Sequence, residues 1–171
     1  FLDEGARIIA LEHRSERLEA ICEAGGERVH GISLDIRDRN AVSKAIRTLP
    51  ANFQEISILV NNAGLLGRDD LDHMDFDAIN AQFQVNAIGP LRVTAALRTN
   101  LGRDSKVVIV TSRMGSLSDN NSGRMYGYRM SKAAVNMVGK NLSRDLAPDG
   151  IAVLLLHPGF VRTEMTGGRG N

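Results

Sequence analysis

Three side chains in this sequence have the types and the spacing needed for proton transfer. Tyr128 and Lys132 are four residues apart, which places both on one face of a helix if the segment is helical. A phenol beside an ammonium has its ionised form favoured, so it can exchange a proton nearer neutral pH. Ser112 adds a hydroxyl at the end of an apolar segment. Together these groups could move a proton to or from a carbonyl oxygen, although a tyrosine and a lysine at this spacing also occur as an ordinary surface pair.

These side chains would be positioned by short apolar segments that alternate with longer amphipathic ones. The predicted strands are residues 7–11, 29–34, 56–60, 106–111 and 151–156. The predicted helices are residues 15–24, 38–49, 75–100 and 126–146. Apolar strands joined by helical crossovers indicate an α/β fold with a parallel sheet covered on both faces. The length of 171 residues indicates a single domain, residues 1–171.

Local signals refine two of the helices and predict a bend in a third. Ser15 and Asp38 are predicted to cap the first two helices. Helix 75–100 is expected to bend near Gly89-Pro90, because Pro90 has no amide hydrogen for the carbonyl of Asn86. That carbonyl then needs another partner, for which a water is suitable. The bend therefore indicates either a functional role for Asn86 or a kink made for packing alone.

Small and polar residues follow two of the predicted strands. The segment Asn61-Asn62-Ala63-Gly64 comes directly after strand 56–60, and Pro158-Gly159 follows strand 151–156. Ligands of open parallel sheets bind at the carboxyl ends of strands, where small residues let the backbone approach a cofactor. An ordinary turn is the alternative for the first of these segments, since asparagine and glycine are turn residues.

Acidic residues follow the first two predicted strands. In a dinucleotide-binding fold, an acid at this place accepts hydrogen bonds from a ribose diol, whereas a base meets a 2′-phosphate. Glu12 is followed by His13 and Arg14, so the sequence leaves the choice open. Asp35 could accept a hydrogen bond from an adenine amine or be an exposed turn residue.

Composition argues against several classes of protein. A net charge of +1 with dispersed basic residues gives no indication of nucleic-acid binding. The longest apolar runs fall far short of the ~20 residues that span a bilayer. Four histidines and the single Cys22 lack the spacing of metal ligands, so no metal is expected. Without a recognisable signal peptide, and with one cysteine, a cytoplasmic location is expected.

The residues above, taken in order along the chain, resemble the short-chain dehydrogenase/reductase family. The matching features are Asn61-Asn62-Ala63-Gly64, Asn86, Ser112, Tyr128 with Lys132, and Pro158-Gly159. The sequences around Asn86, Ser112 and Tyr128 further resemble the branch that contains C-factor and sniffer-like carbonyl reductases.

This resemblance implies a Rossmann-like three-layer α/β/α fold and a role for each catalytic residue. Tyr128 would be the general acid in reduction and the base in oxidation. Lys132 would lower the pKa of Tyr128 and hold the nicotinamide ribose, and Ser112 would position the carbonyl. Asn86 would hold a water that links Lys132 to solvent. The reaction implied is hydride transfer between NAD(P)H and a small carbonyl or alcohol substrate.

The resemblance also implies a set of residues that bind NAD or NADP. They are Glu12, Asp35, Asn62, Ala63, Gly64, Tyr128, Lys132, Pro158, Gly159, Val161 and Thr163. The long helices 75–100 and 126–146 could pair subunits in a homo-oligomer.

The sequence departs from the family pattern at its beginning. The family starts with a central strand and a glycine-rich turn that holds the pyrophosphate. Phe1-Leu2-Asp3-Glu4-Gly5 instead resembles the end of the helix that follows that turn. An incomplete sheet is therefore expected, with the first strand and the glycine-rich turn missing. The alternative function is a truncated, non-catalytic signalling or interaction protein of the C-factor kind.

Overall fold

Five parallel strands lie in two separate sheets. A computed structural model describes residues 1–171. The strands are β1 (Ile8–Glu12), β2 (Val29–Ser33), β3 (Ile56–Asn61), β4 (Leu101–Val110) and β5 (Ala152–Leu156). β1 pairs with β2, and β4 lies between β3 and β5. β1 and β3 do not pair with each other, and the resemblance places the missing central strand between them. The predicted α/β fold with an incomplete parallel sheet is confirmed.

The helices follow the predicted order with changes at their ends. They are α1 (Ser15–Gly25), α2 (Arg39–Arg47), α3 (Phe76–Phe83), α4 (Gly89–Ala96) and α5 (Tyr126–Asp145). The predicted cap of α2 is confirmed, because the Asp38 carboxylate accepts hydrogen bonds from the amides of Asn40 and Ala41. The predicted cap of α1 is wrong. Ser15 is already helical, and the amides of the preceding turn donate to Glu12 instead.

The predicted helix 75–100 is two α-helices joined by a π-helical turn. That turn, Gln84–Ile88, lies between α3 and α4, one turn before the predicted break. Pro90 explains its place, because without an amide hydrogen it cannot donate to Asn86 and the preceding turn widens. The predicted helix was also too long at its end, since α4 stops at Ala96.

β4 begins five residues earlier than the predicted 106–111. Leu101 already pairs with Ile56 of β3, and the register shifts between Ile56 and Ile58. Ser105 supports this irregular start, since its hydroxyl donates to the Ile56 carbonyl at 2.8 Å. Because the residues from Gly102 onward are polar, the pattern of apolar residues did not indicate this early pairing.

The core lies between β4 and the helices that cover it. Val42 of α2, Val107 and Ile109 of β4, and Val135 of α5 are fully buried in one apolar cluster. Burial of each such side chain contributes about 1.5–3 kcal/mol. The core therefore holds the end of β4, which leads to Ser112, against the helix that carries Tyr128.

None of the helices combines the length and apolar character needed to cross a bilayer.

Candidate active site

The residues predicted to form the site follow the carboxyl ends of the strands. Glu12 ends β1, Asp35 lies two residues beyond β2, and Asn62 follows β3 directly. Ser112 and Pro158 each lie two residues beyond the ends of β4 and β5. All pairings are parallel, so in each sheet these residues lie at the same edge.

Ser112, Tyr128 and Lys132 come together beside β4. Ser112 begins a short 3₁₀ turn, Arg113–Gly115, and its hydroxyl accepts a hydrogen bond from the Met114 amide at 3.2 Å. Tyr128 lies in the first turn of α5 and is only 9% exposed, with the Ser112 hydroxyl near its own. One helical turn later, Lys132 places its Nζ 5.7 Å from the centre of the Tyr128 ring.

Burial controls the ionisation of both titratable groups. It raises the pKa of Tyr128, and the hydrogen bond with Ser112 acts in the opposite direction. It lowers the pKa of Lys132 to about 8, while Nζ donates to the Val110 carbonyl at 2.8 Å. Lys132 is not among the causes of the Tyr128 shift, so the expectation that Lys132 lowers the pKa of Tyr128 stays a prediction.

Asn86 connects the loop after β3 to α5. Its side chain is 1% exposed and exchanges two hydrogen bonds with the backbone of Leu65, at 2.7 and 2.8 Å. Its Nδ2 also donates to Ser131 Oγ at 2.9 Å, and Ser131 donates to the Tyr128 carbonyl at 2.8 Å. Asn86 thus contributes to the placement of the tyrosine, while a water link from Asn86 to Lys132 stays a prediction.

Gly115 lets the turn that contains Ser112 pack closely on α5. A Cβ at Gly115 would lie 2.7 Å from the carbonyl carbon of Lys132 and 2.9 Å from the amide nitrogen of Ala133. Backbone atoms cannot move aside as a flexible side chain does, so the contact requires glycine. The spacing between Ser112 and the α5 residues depends on it.

Glu12 and Asp35 are both held in ionised form. Burial opposes the ionisation of Glu12, but hydrogen bonds from the amides of Arg14 and His13 outweigh it and lower the pKa. These two bonds use Oε1 alone, so Oε2 is free to accept another donor. A hydrogen bond from the Arg37 guanidinium lowers the pKa of Asp35, so an adenine amine would compete with Arg37 there.

The remaining predicted cofactor residues lie in exposed loops at the same edge. They are Asn62, Ala63, Gly64, Pro158, Gly159, Val161 and Thr163, of which only Gly64 is partly buried. Thr163 bonds within its own turn, where its amide donates to Thr166 Oγ1 at 3.0 Å. The next residue, Glu164, forms ion pairs with Arg14 and Arg17, which connect this segment to α1.

Comparison with known proteins identifies the family. The family model described as short chain dehydrogenase matches residues 1–171. The chain belongs to the short-chain dehydrogenase family. The resemblance predicted from the motifs, including the C-factor branch, is confirmed.

Several relatives of this short-chain dehydrogenase are closely similar over most of its length. It is 41% identical over 162 residues to 1-hydroxy-2-glutathionyl-2-methyl-3-butene dehydrogenase of a Rhodococcus species, which covers 91% of this chain and 72% of that protein. It is 48% identical over 115 residues to C-signal of Myxococcus xanthus, which covers 66% of this chain and 69% of that protein. It spans 66% of serine 3-dehydrogenase from Agrobacterium fabrum, at 34% identity. The chain therefore spans about two thirds of the length of these curated relatives.

Solved structures agree with this assignment. A short-chain dehydrogenase/reductase from Burkholderia multivorans with bound NADP has a TM-score of 0.85 and 30% identity, over 97% of this chain and 74% of that one. Carbonyl reductase Sniffer of D. melanogaster has a TM-score of 0.85 and 26% identity, over 92% of this chain and 71% of that one.

A cavity of about 430 Å³ is lined by residues that neighbour Ser112 and Tyr128 in the sequence of this short-chain dehydrogenase. Met114, two residues after Ser112, and Met125, three residues before Tyr128, both contribute to its wall. Neither Ser112 nor Tyr128 lines the cavity. The cavity therefore borders the segments that lead to Ser112 and Tyr128.

Four residues that contribute to the site of this short-chain dehydrogenase were not predicted from its sequence. Leu65 and Val110 contribute backbone groups only, which the side-chain type does not reveal. Ser131 is fully buried, and its spacing of three from Tyr128 could have placed it on the same helix face. Asp69 lies in a run of charged residues that is typical of a solvated loop, yet it is 9% exposed.

Proposed function

We propose that this chain carries the catalytic residues of an NAD(P)-dependent reductase of aldehydes or ketones, which also oxidises the corresponding alcohols. The supporting observation is that Ser112, Tyr128 and Lys132 meet in a largely buried group beside β4. A hydroxyl, a phenol and an ammonium held close together, with the ammonium 5.7 Å from the centre of the phenol ring, form a complete set for protonating a carbonyl oxygen.

The residues at the strand ends fit a dinucleotide. The free Oε2 of Glu12 can accept from a ribose hydroxyl, and the exposed backbone of Asn62 and Ala63 allows close approach. Pro158 and Gly159 would border the nicotinamide from the opposite loop. NAD(P)H, when bound, supplies the hydride in reduction. NADP bound in the Burkholderia multivorans relative supports this choice of cofactor.

The side chains of the site would handle the proton and orient the carbonyl. The raised pKa of Tyr128 keeps the phenol protonated at neutral pH, so it begins reduction as an acid. Ser112 would donate a hydrogen bond to the carbonyl oxygen. Negative charge develops on the Tyr128 oxygen only as the proton leaves, and the Lys132 ammonium near the ring would stabilise that charge.

A pair of tyrosine variants tests this assignment. In the full-length protein, Tyr128→Phe should lower kcat for carbonyl reduction by roughly 100-fold or more, because the proton donor is lost. Tyr126→Phe is the matched control, since Tyr126 has methionine and not lysine four residues later. The assay follows NADH and NADPH consumption with small aldehydes and ketones, and nicotinamide fluorescence follows cofactor binding. Retained turnover in Tyr128→Phe would exclude the proposed role.

A second candidate is a signalling or interaction protein that uses this scaffold without turnover. The 48% identity with C-signal favours it. Fluorescence titration of the full-length protein with NADH and with NADPH addresses the difference directly. Tight binding together with turnover would support the reductase, whereas neither binding nor turnover in the full-length protein would favour the second candidate.

Pairing of subunits through α5 is a related proposal. Met130 and Met137 are 44% and 61% exposed and lie seven residues apart, on one face of the helix. Met137→Lys should shift a dimer toward monomer in sedimentation velocity. An unchanged sedimentation coefficient would place the contact elsewhere.

A further inference from the structure

The helix that carries Tyr128 begins without a capping side chain of its own. α5 starts at Tyr126, and Met125, the residue before it, makes no side-chain cap hydrogen bond. The first amides of a helix have no acceptor within the helix, so they need one from elsewhere. Here the acceptor is Asp69, which lies far upstream in the sequence. The amide of Gly127 donates to Asp69 Oδ2 at 3.2 Å, and the amide of Met125 donates to the Asp69 carbonyl at 2.7 Å.

The segment that Asp69 holds has an unfavourable backbone conformation. Gly123, Arg124 and Met125 have φ of 60°, 57° and 53°, three consecutive residues in the left-handed region. Residues with a Cβ rarely adopt this conformation, because the Cβ crowds the backbone. Such a segment keeps its shape only while its surroundings hold it. Asp69 supplies two of the hydrogen bonds that do so, at the point where the strained segment becomes helix.

The loop before Asp69 is itself fixed by α3 and the π-helical turn. Leu65 exchanges two hydrogen bonds with Asn86, and the Gly67 amide donates to Gln82 Oε1 at 2.8 Å. Gln82 also packs against the start of α5, since a Cβ at Gly127 would lie 2.5 Å from its Nε2. The loop that carries Asp69 to α5 is therefore held in place by the side chains of Asn86 and Gln82.

The carboxylate of Asp69 is not fully satisfied. Its Oδ1 is buried and has no hydrogen-bond partner. A buried carboxylate oxygen without a partner costs free energy, so stability alone explains this residue poorly. A role that requires an acceptor at this place, next to the catalytic helix turn, explains it better.

We propose that Asp69 is a positioning residue, which caps α5 from a distant loop and thereby places the Tyr128 hydroxyl for proton transfer. The inference rests on the proposed role of Tyr128. Tyr128 directly follows Gly127, so release of the Gly127 amide would let the first turn of α5 move. A displacement of about 1 Å at a reacting group can lower the rate about 100-fold.

Three cap variants in the full-length protein separate positioning from general stability. Asp69→Ala removes the acceptor, and we expect kcat to fall tenfold to about 100-fold while the KM for NADPH stays within about twofold. Asp69→Asn keeps an acceptor oxygen, so it should recover most of the lost kcat. Asp38→Ala is the matched control, because it removes the cap of α2, and its kcat should stay within about twofold of the parent.

Hydrogen exchange at the Gly127 and Tyr128 amides gives a readout that does not need turnover. Exchange should be faster in Asp69→Ala and unchanged in Asp38→Ala. If the parent protein reduces no carbonyl, the proposed function fails, and the exchange rates alone decide whether Asp69 holds the turn. Full kcat in Asp69→Ala, an equal loss of kcat in Asp38→Ala, or unchanged exchange would each overturn the proposal.

If Asp69→Ala does not fold, the variant Asp69→Glu tests the proposal in its place. It keeps the charge but displaces the carboxylate by one methylene, so full kcat in that variant would also overturn it.

Discussion

The Lys132 ammonium lies near the ring of Tyr128, with Nζ 5.7 Å from the ring centre. Burial lowers the pKa of Lys132 to about 8 and raises the pKa of Tyr128, so both groups move toward their neutral forms. Their ordinary pKa values are nearly equal, at 10.5 and 10.0. In the folded protein the lysine therefore loses its proton well before the tyrosine does, and the charge of the site changes near pH 8.

Stability should rise with pH as Lys132 loses its proton. The unfolded chain keeps this proton up to about pH 10.5, whereas the folded protein releases it near pH 8, so the unfolded state binds more protons between these values. The cost of the buried charge, on the order of 3 kcal/mol, is present below pH 8 and disappears through this window. Urea unfolding of the parent and of Lys132→Met should show the parent gaining stability relative to the variant between about pH 8 and pH 10.

Tyr128 adds a pH dependence of the opposite sign at the top of this window. Its raised pKa means that the unfolded chain loses the phenol proton first, so stability falls again with pH above about 10. Parallel pH profiles for the parent and Lys132→Met would contradict a buried, destabilised ammonium.

Tyr128 should titrate above the ordinary tyrosine pKa, and Ser112→Ala should raise that pKa further. Burial is the larger cause of the shift, and the hydrogen bond with Ser112 partly offsets it. The chain has two tyrosines and no tryptophan, so in Tyr126→Phe the only phenol is Tyr128. Ultraviolet difference spectroscopy in this background follows its ionisation directly. A Tyr128 pKa below the ordinary value would contradict this and would support the expectation that Lys132 lowers the pKa of Tyr128.

Gly115→Ala should lower both stability and turnover. The new methyl group would clash with the backbone of Lys132 and push the turn that begins at Ser112 away from α5. Overpacking of this kind costs about 1–3 kcal/mol. Gly102→Ala is the control, because nothing lies within 4 Å of a Cβ there. Thermal unfolding and kcat together measure the effect, and equal behaviour of the two variants would show that the close contact at Gly115 is unimportant.

Asn86→Ala should destabilise the protein by about 3 kcal/mol, because it leaves the buried Ser131 hydroxyl and two partly buried backbone groups of Leu65 without their Asn86 partner. Asn80→Ala, on the same helical stretch but exposed and without a side-chain hydrogen bond, should change stability by less than about 0.5 kcal/mol. Chemical denaturation of both variants provides the comparison. Similar losses in the two would mean that the Asn86 network contributes little.

Local patterns predicted the elements well where the elements are regular. Apolar runs predicted all five strands, and the spacing of Tyr128 and Lys132 predicted their shared face on α5. The errors fall where tertiary contacts decide. Leu101 joins β4 because Ile56 offers it a partner, and Ser15 is not a cap because the Glu12 carboxylate takes the amides beside it.

Order along the chain and residue type determined the family, the α/β fold and the side chains that could transfer a proton. These properties depend on short-range periodicity and on the meeting of parallel strand ends at one edge. Only the tertiary structure decided that the pKa of Tyr128 rises, that Lys132 bonds the Val110 carbonyl, and that Asp69 caps α5. Burial and long-range hydrogen bonds join segments tens of residues apart, and no local pattern in the sequence encodes such contacts.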